Sequence, residues 1–272
     1  MLICQLSDLH VRPPGQLAYG RVDTADYLRR CVSHVLAHSP RPDVLVITGD
    51  LTDRGLPEEY DHLAAMLAPL PMPMYLIPGN HDNRETMRAA FPHHLYLTQA
   101  KEFLHYTVSV GPFRIIALDT VLPGEGGGLL CANRLHWLEE QLSMYRNVPK
   151  IILMHHPPFT TGIGHMDRVG LRVAYPLEPI VRRHPDIERI LCGHLHRTIF
   201  RRFGGTIAVT CPSPAHQVLL DLAPDAPSQF IMEPPGYMLH RWTPEIGLTS
   251  FCTVIGEYEG PYPFYSAGRL IE

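Results

Sequence analysis

This 272-residue sequence contains no long apolar run and no cluster of basic residues. No stretch approaches the roughly 18 consecutive apolar residues that a membrane-spanning helix needs, so no membrane is expected as a partner. The formal net charge is -4, and no run of basic residues is longer than a pair such as Arg201-Arg202. Because a duplex-binding protein usually carries a basic stripe, no nucleic acid duplex is expected as a partner either.

Paired cysteines and a secretory leader are also missing. The six cysteines are scattered, and none forms a Cys-x-x-Cys pair, so reduced thiols are expected. The first residues, Met1-Leu2-Ile3-Cys4, lack the basic region and apolar core of a signal peptide. Both absences predict a cytoplasmic protein.

The residues that are present predict a layered α/β fold. Hydrophobic residues make up 45% of the chain and charged residues 18%, which excludes a disordered or coiled-coil chain. Short apolar runs such as Val44-Leu45-Val46-Ile47, typical of strands buried on both faces, alternate with stretches of helical periodicity. This alternation indicates helices that cover a sheet.

Proline punctuates the chain from about residue 212 onward, as at Pro212, Pro214 and Pro224. Two β-like stretches follow, at 237–243 and 248–255, with little helix to cover them. Two strands alone are marginally stable in water, so these must dock on the main domain, on another subunit, or on both. The sequence therefore predicts a main domain over residues 1–211 and a strand-and-loop cap or oligomerisation segment over 212–272.

Residues that bind metals follow five of the predicted strands. Because ligands bind at the carboxyl ends of the strands in an open α/β sheet, these side chains are expected to lie together. The five motifs are Asp8-Leu9-His10, Gly49-Asp50, Gly79-Asn80-His81-Asp82, His155-His156 and Gly193-His194-Leu195-His196.

The residue types in these motifs define the chemistry. The i, i+2 spacing of Asp8 and His10 puts both side chains on one face of an extended chain. Carboxylate oxygen combined with imidazole nitrogen suits Zn, Fe, Mn or Co, and the lack of paired thiols argues against a structural zinc. The sequence thus predicts a metal site of mixed nitrogen and oxygen ligands, with the identity of the ion left open.

Together the motifs resemble the calcineurin-like metallophosphoesterase superfamily, whose pattern is D-x-H, G-D, G-N-H-D/E, H and G-H-x-H. They span residues 8–196. The closest resemblance is to the bacterial class III cyclic nucleotide phosphodiesterases and the related glycerophosphodiesterases. It includes Tyr19-Gly20, Pro78-Gly79-Asn80-His81-Asp82, Met154-His155-His156-Pro157-Pro158 and His216-Gln217.

The resemblance implies a four-layer αββα sandwich, in which helices flank two sheets, and a centre of two divalent metal ions per subunit. His155 is expected to support a ligand rather than to bind metal. The implied ligands are Asp8, His10 and His196 for one ion, Asn80, His156 and His194 for the other, and Asp50 as the bridge between them.

The implied activity is hydrolysis of small phosphodiesters, of the 3',5'-cyclic nucleotide or glycerophosphodiester type, by in-line attack of a metal-bound hydroxide. The resemblance places His81 near the leaving group, as a proton donor or a phosphate contact. The alternative is that His81 orients Asp50 or a water. With Asn80, Tyr19 and His216 are candidate substrate contacts; the alternative for these two is a buried tyrosine and a surface histidine.

Arg54, in Gly49-Asp50-Leu51-Thr52-Asp53-Arg54-Gly55, leaves a second activity open. This stretch resembles the protein Ser/Thr phosphatases, in which the arginine grips a phosphate, so the alternative is a phosphomonoesterase. The other interpretation is a structural pair of Asp53 with Arg54 at the start of a helix. A catalytically silent metal-binding scaffold is less favoured, because such a chain is expected to have lost ligands.

The C-terminal segment also suggests self-association. In the resembling phosphodiesterases, this region makes subunit contacts and caps the site. Here it carries Phe230, Met232, Tyr262 and Phe264, and aromatic residues and Met are enriched in the cores of interfaces. A homo-oligomer, at least a dimer, is therefore expected.

Overall fold

Strands that are buried on both faces form the centre of the molecule. The structure, a computed structural model, describes residues 1–271. In chain order, the strands are β1 (Leu2–Leu6), β2 (Val44–Thr48), β3 (Met74–Ile77), β4 (Tyr106–Val110), β5 (Phe113–Leu118), β6 (Gly128–Leu130), β7 (Lys150–Met154), β8 (Leu171–Val173), β9 (Ile187–Cys192), β10 (Ile199–Phe203), β11 (Thr206–Thr210), β12 (Gln217–Val218), β13 (Phe230–Ile231), β14 (Gly236–Thr243), β15 (Gly247–Val254), β16 (Tyr265–Ser266) and β17 (Arg269–Leu270). The helices are α1 (Thr24–Ala37), α2 (Pro57–Leu67), α3 (Arg84–Ala90), α4 (Ala132–Met144), α5 (Gly164–Arg168) and α6 (Leu177–Arg182), with a 3₁₀ helix at Leu95–Thr98.

Two large sheets contain most of these strands. The first has the order β15-β14-β1-β2-β3, and the second has the order β10-β11-β9-β7-β5-β4. Strands β1, β2 and β3 of the first sheet are parallel, as are β5, β7, β9 and β11 of the second. Parallel strands place their carboxyl ends at one edge of each sheet, which is where the metal-binding motifs follow them.

The clusters of buried apolar side chains show how the sheets and helices are layered. One cluster of buried residues includes Leu6 and Ile47 from the first sheet, Leu153 from the second and Leu28 from α1. A second cluster joins Ile152, on the other face of the second sheet, to residues of α4 and α6. The order is therefore helices, first sheet, second sheet, helices, and the predicted four-layer sandwich is confirmed.

The C-terminal hairpin docks on the main domain, which is one of the possibilities that the sequence left open, and the division at residue 211 stays a prediction. The strands expected at 237–243 and 248–255 do form, but β14 pairs antiparallel with β1, with Leu2 opposite Arg241 and Gln5 opposite Met238. Tyr237 and Met238 are fully buried in the same core as β1. Residues 236–254 thus complete the first sheet, because the open edge of β1 supplies the partner that a lone hairpin lacks.

Two further observations concern the environment of the chain. Within residues 1–271, no helix combines the length and the apolar character needed to cross a membrane. The six cysteines are all unpaired, and four of them are buried.

Candidate metal centre

The ends of five central strands deliver the predicted motif residues to one place. Asp8 follows β1, Asp50 follows β2, Asn80 follows β3, His155 follows β7 and His194 follows β9. Backbone hydrogen bonds hold the strand-end loops together, since the amide of residue 8 donates to the carbonyl of residue 49 at 3.0 Å and that of residue 193 to residue 155 at 3.0 Å. The motifs therefore converge although they span most of the two sheets.

These loops adopt an unusual backbone conformation. Asp8, His10, Asp50, His194 and His196 all have positive φ angles between 46° and 70°. Residues other than glycine rarely adopt this left-handed region, and such conformations cluster at functional sites, where the surrounding structure enforces them. The strain indicates that these five side chains are held in place for function.

His10 and His196 face each other through their Nε2 atoms, which lie 3.1 Å apart. His196 donates Nδ1–H to the carbonyl of His216 at 3.0 Å, and Nδ1 of His10 lies 3.7 Å from a carboxylate oxygen of Asp53. This hydrogen bond keeps the proton of His196 on Nδ1 and turns its Nε2 lone pair toward His10, whereas Nδ1 of His10 is buried without a hydrogen-bond partner. When His10 also carries its proton on Nδ1, beside Asp53, two lone pairs face each other, and a cation beside both removes their repulsion. The pair therefore fits a metal ion.

Two carboxylates complete this group. The Oδ1 atom of Asp8 lies 3.6 Å from Nε2 of His196, and Oδ2 of Asp50 lies 3.6 Å from Nε2 of His10. Oδ2 of Asp8 is buried and has no hydrogen-bond partner. Because an unpartnered buried carboxylate oxygen is costly, its position also fits a cation.

A second group of facing acceptors surrounds the Oδ1 atom of Asn80. Nε2 of His155 lies 3.2 Å from this oxygen, and Nδ1 of His194 lies 3.1 Å from it. The opposite nitrogens donate to backbone carbonyls, from His155 to Thr48 at 2.8 Å and from His194 to Val169 at 3.1 Å. In the neutral form of both rings, all three inward atoms are acceptors, and such a set suits a second cation.

Asp50 lies between the two groups. Its Oδ2 atom is 3.4 Å from Nε2 of His155 as well as 3.6 Å from Nε2 of His10, while Oδ1 accepts the backbone N–H of His81 at 2.9 Å. A Cβ at Gly79 would come within 2.2 Å of Oδ1, which explains why a glycine lies there. The bridging position predicted for Asp50 is geometrically available.

The hydrogen bonds of His156 differ from those expected of a metal ligand. The Thr120 hydroxyl meets Nδ1 at 2.8 Å, and Nε2 lies 3.2 Å from the carbonyl of Gly126. With Nε2–H donating to Gly126 and the hydroxyl donating to Nδ1, the ring has no free lone pair for a metal. The adjacent His155, predicted only as a supporting residue, has the free nitrogen instead.

The alternation of side chains between the two faces of β7 distinguishes the two histidines. Leu153 packs into the core between the sheets, whereas Met154 packs on the other face, against α4 and α6. Side chains alternate along a strand, so His155 continues on the face of Leu153, toward the first sheet.

The charged groups of the centre shift the pKa values of Asp50 and His155 in opposite directions. Burial raises the pKa of Asp50, but the imidazoles of His155 and His81 outweigh burial and hold the pKa well below its ordinary value. Burial lowers the pKa of His155, but the Asp50 carboxylate outweighs it and raises the pKa to about 9. The buried carboxylate thus attracts positive charge to the centre, which a metal ion also supplies.

A pocket of about 410 Å³ opens onto this centre. His81, Tyr19 and His216, the predicted substrate contacts, all line it. His81 donates Nδ1–H to the carbonyl of Asp53 at 2.7 Å. For Tyr19 and His216, the alternative is a buried tyrosine and a surface histidine. The structure shows the opposite, because Tyr19 is 55% exposed and His216 is 2% exposed.

Arg54 lies apart from the pocket-lining residues. Its side chain is largely exposed and approaches Asp53 only to 3.9 Å, whereas Arg12 reaches the same carboxylate at 3.3 Å. The structural pairing expected for Arg54 is therefore weak, and Arg12 is the principal partner of Asp53.

Asp82 is a supporting residue that the motif analysis did not single out. Its buried carboxylate accepts from the backbone N–H of Leu51 at 3.0 Å, from that of Gly79 at 2.9 Å and from the Tyr60 hydroxyl at 2.8 Å. It thus ties the loop after β2 to the loop after β3. The sequence signal for this supporting role is the position of Asp82 directly after Asn80 and His81.

Comparison with known proteins agrees with this geometry. The family model of the calcineurin-like phosphoesterases matches residues 1–198. The chain is 39% identical to a probable glycerophosphodiester phosphodiesterase of Arcobacter nitrofigilis, with 100% of both chains covered. It is 31% identical to a 3',5'-cyclic adenosine monophosphate phosphodiesterase of Pseudomonas aeruginosa, with 89% of this chain and 84% of the relative covered.

A solved structure shows the same fold at lower sequence identity. A dimetal phosphatase from Danio rerio superposes with a TM-score of 0.62 at 14% identity, covering 94% of this chain and 99% of that one. The family model covers well over half of this chain, and the matched residues 1–198 include those that meet at the centre described above. The protein belongs to the calcineurin-like phosphoesterase family.

Proposed function

We propose that this protein hydrolyses small phosphodiesters at a centre of two divalent metal ions. The observation that carries the proposal is the pair of acceptor groups that share Asp50, one around His10 and His196 and the other around Asn80. Relatives that match nearly the whole chain are named as glycerophosphodiester phosphodiesterases, and another is named as a cyclic nucleotide phosphodiesterase. Both activities split a phosphodiester.

The residues fit metal ions because their inward atoms are lone pairs or unpartnered oxygens. Mixed imidazole and oxygen donors suit Zn, Fe, Mn or Co. When bound, two such ions polarise the phosphoryl group and make water a nucleophile at neutral pH. The proposed ligands are Asp8, His10, Asp50 and His196 for one ion, and Asp50, Asn80, His155 and His194 for the other.

His81 is proposed as the proton donor to the departing alcohol. Its Nδ1–H is held on the carbonyl of Asp53, so Nε2 is the nitrogen available to the pocket. Its backbone N–H holds Asp50, which fixes the ring beside the centre. With a second proton on Nε2, the imidazolium form of His81 would transfer that proton to the leaving oxygen and return to the neutral Nδ1–H form. This would assist cleavage of an ester whose alcohol is a poor leaving group.

The pocket lining favours diesters over monoesters. Among the described residues, no lysine or arginine lines the pocket. A monoester carries two negative charges and is usually gripped by additional cations such as arginine, whereas Arg54 lies outside the lining. Phosphomonoesterase activity is therefore the second candidate, and the experiment below separates the two.

Small substrates fit the size and the rim of the pocket. Tyr19 lies against His216 and Phe230, with ring centroids 5.3 Å apart in both cases, and these residues form one side of the opening. We propose Tyr19 and His216 as substrate contacts beside Asn80 and His81. A volume of about 410 Å³ accommodates a small diester, and neither a nucleic acid duplex nor a membrane is proposed as a partner.

We also propose that the protein forms a homo-oligomer and is located in the cytoplasm. All residues from 256 to 271 are exposed, including Tyr262, Phe264 and Tyr265. An exposed aromatic surface of this kind supports a homo-oligomer. The free thiols fit the reducing cytoplasm, which we propose as the compartment.

A substrate panel tests the proposed activity. Metal-reconstituted protein is assayed with cyclic AMP, glycerophosphocholine, bis(p-nitrophenyl) phosphate and p-nitrophenyl phosphate. Diesters should be hydrolysed with a higher kcat/KM than the monoester. A higher kcat/KM for the monoester would establish the phosphatase alternative, and inactivity toward all four would favour the silent scaffold.

A further inference from the structure

Helix α5 forms a fixed wall of the pocket. The Asp167 carboxylate accepts the backbone N–H groups of Thr161 and Gly162, both at 2.8 Å. At its other end, the carbonyl of Val169 accepts the Nε2–H of His194. The segment is thus tied both to its own preceding loop and to a proposed metal ligand, so a side chain on α5 has a defined position relative to the centre.

His165 is the residue of α5 that has no assigned partner. Its side chain lines the pocket, yet the residue is only 7% exposed. Its Nδ1 atom is buried and has no hydrogen-bond partner. Buried polar groups nearly always have a partner, so an imidazole that lines the pocket without one is available to a molecule that enters it.

That partner is not a metal ion. None of the groups of three or more metal-binding side chains among the described residues includes His165. The proposed metal ligands are satisfied without it. His165 is therefore available to the part of the substrate that the metal centre does not hold.

The rest of the lining specifies the chemistry of that part. Ser228 and Gln229 also line the pocket, and their side chains are exposed. The backbone carbonyl of Gln229 accepts from Leu219 at 2.9 Å, which fixes its position. With no lysine or arginine in the described lining, these neutral groups suit neutral hydroxyls rather than a second anion. A hydroxyl both donates and accepts, so it can pair with either tautomer of an imidazole.

We propose that His165 binds a hydroxyl of the substrate's alcohol arm and so selects phosphodiesters of polyols such as glycerol. This inference rests on the proposed phosphodiesterase function. The metal centre and His81 act on the phosphate, and His165, with Gln229 nearby, recognises the arm. A site that hydrogen-bonds a substrate hydroxyl discriminates against the analogue that lacks it, because its polar group is then left unpaired.

The test compares two diesters that differ only in hydroxyl groups. Glycerophosphoethanolamine and propylphosphoethanolamine are assayed by release of ethanolamine, with wild type, His165→Phe and His165→Gln. His165→Phe should lower kcat/KM for the glycerol diester roughly 10- to 100-fold, mainly through KM, and change that for the propyl diester little. His165→Gln, which retains a hydrogen-bonding group, should recover part of the preference.

Controls separate this role from a structural one. Met166→Leu alters a neighbouring lining residue without removing a hydrogen bond and should preserve the glycerol-to-propyl ratio. Calorimetry of glycerol 3-phosphate and propyl phosphate binding should show the same loss of preference in His165→Phe without any turnover. Equal loss for both diesters, or no preference in the wild type, overturns the inference. Inactivity of the wild type toward every diester would instead overturn the proposed function.

Discussion

The Nε2 atom of His155 lies 3.4 Å from the Oδ2 atom of Asp50. The next residue, His156, has both ring nitrogens engaged by Thr120 and Gly126. Two adjacent histidines of one motif thus have different roles. The first turns its Nε2 toward Asp50 and is the proposed metal ligand, and the second holds the loop that contains Gly126 against the end of β5.

Metal content distinguishes these roles. His155→Ala should lower the bound metal to about half of the wild-type content, because the site around Asn80 loses one of its ligands. His156→Gln should keep both ions, since the glutamine amide can still pair with Thr120 or Gly126. Elemental analysis after dialysis measures both variants, with circular dichroism to confirm folding. Full metal content in His155→Ala, with loss in His156→Gln, would restore the original assignment.

The location of the centre could be predicted from the sequence because its geometry is local. Each motif directly follows a short apolar run, and the carboxyl ends of parallel strands share an edge. The choice between His155 and His156 could not be predicted in this way. Strand β7 is buried on both faces, so Leu153 and Met154 are equally apolar and no alternation marks the face that meets the first sheet.

The position of the C-terminal hairpin could not be predicted from the local sequence, because it depends on pairing with residues far away in the chain. The strands β14 and β15 are evident in the sequence, but their pairing with β1 joins residues more than 230 positions apart, such as Gln5 and Met238. No local pattern encodes such a contact. The polar interior of the sheet also escaped prediction: Oε1 of Gln5 pairs with Nε2 of His240 at 3.0 Å.

The role of His81 can be tested through the leaving group. His81→Ala should retain the metal ions, since its side chain is not among the proposed ligands. It should lose roughly 10²–10⁴-fold in kcat for diesters of ordinary alcohols, because protonation of the leaving oxygen is lost. The loss should be much smaller for bis(p-nitrophenyl) phosphate, whose leaving group needs little protonation. Equal losses on both substrates would favour a phosphate-binding or orienting role.

The exposed tail provides a test of assembly. A truncation after residue 211 would remove β14 and β15 from the first sheet, so the informative truncation ends at Ile255, the last buried residue. Light scattering at micromolar concentration should show a dimer or larger for the intact chain and a smaller species for the truncated one, with equal far-UV circular dichroism. A monomeric intact chain would exclude the assembly.

His240 links the stability of the C-terminal hairpin to pH. Its ring is fully buried, with Nδ1 2.8 Å from the Ser250 hydroxyl and Nε2 3.0 Å from Oε1 of Gln5. Burial, followed by the charge of Arg189, lowers the pKa of His240 from 6.5 to about 3. Between these values the unfolded chain binds a proton that the folded chain does not, so the free energy of unfolding rises with pH up to about 6.5. The contribution is fully present above 6.5 and is lost as pH falls toward 3.

Replacing the ring isolates this contribution. His240→Gln keeps an amide that can pair with Gln5 or Ser250 but cannot take up a proton. Urea unfolding is measured for both proteins at the same metal content between pH 4 and 6. The wild-type unfolding free energy should fall more steeply on acidification, by about 1.4 kcal/mol per pH unit for one proton. The other histidines titrate in both proteins, so their contributions cancel in the difference between the two unfolding free energies. A constant difference at neutral pH would report only a change in packing. Parallel pH curves would show that His240 takes up its proton without opposing the folded hairpin.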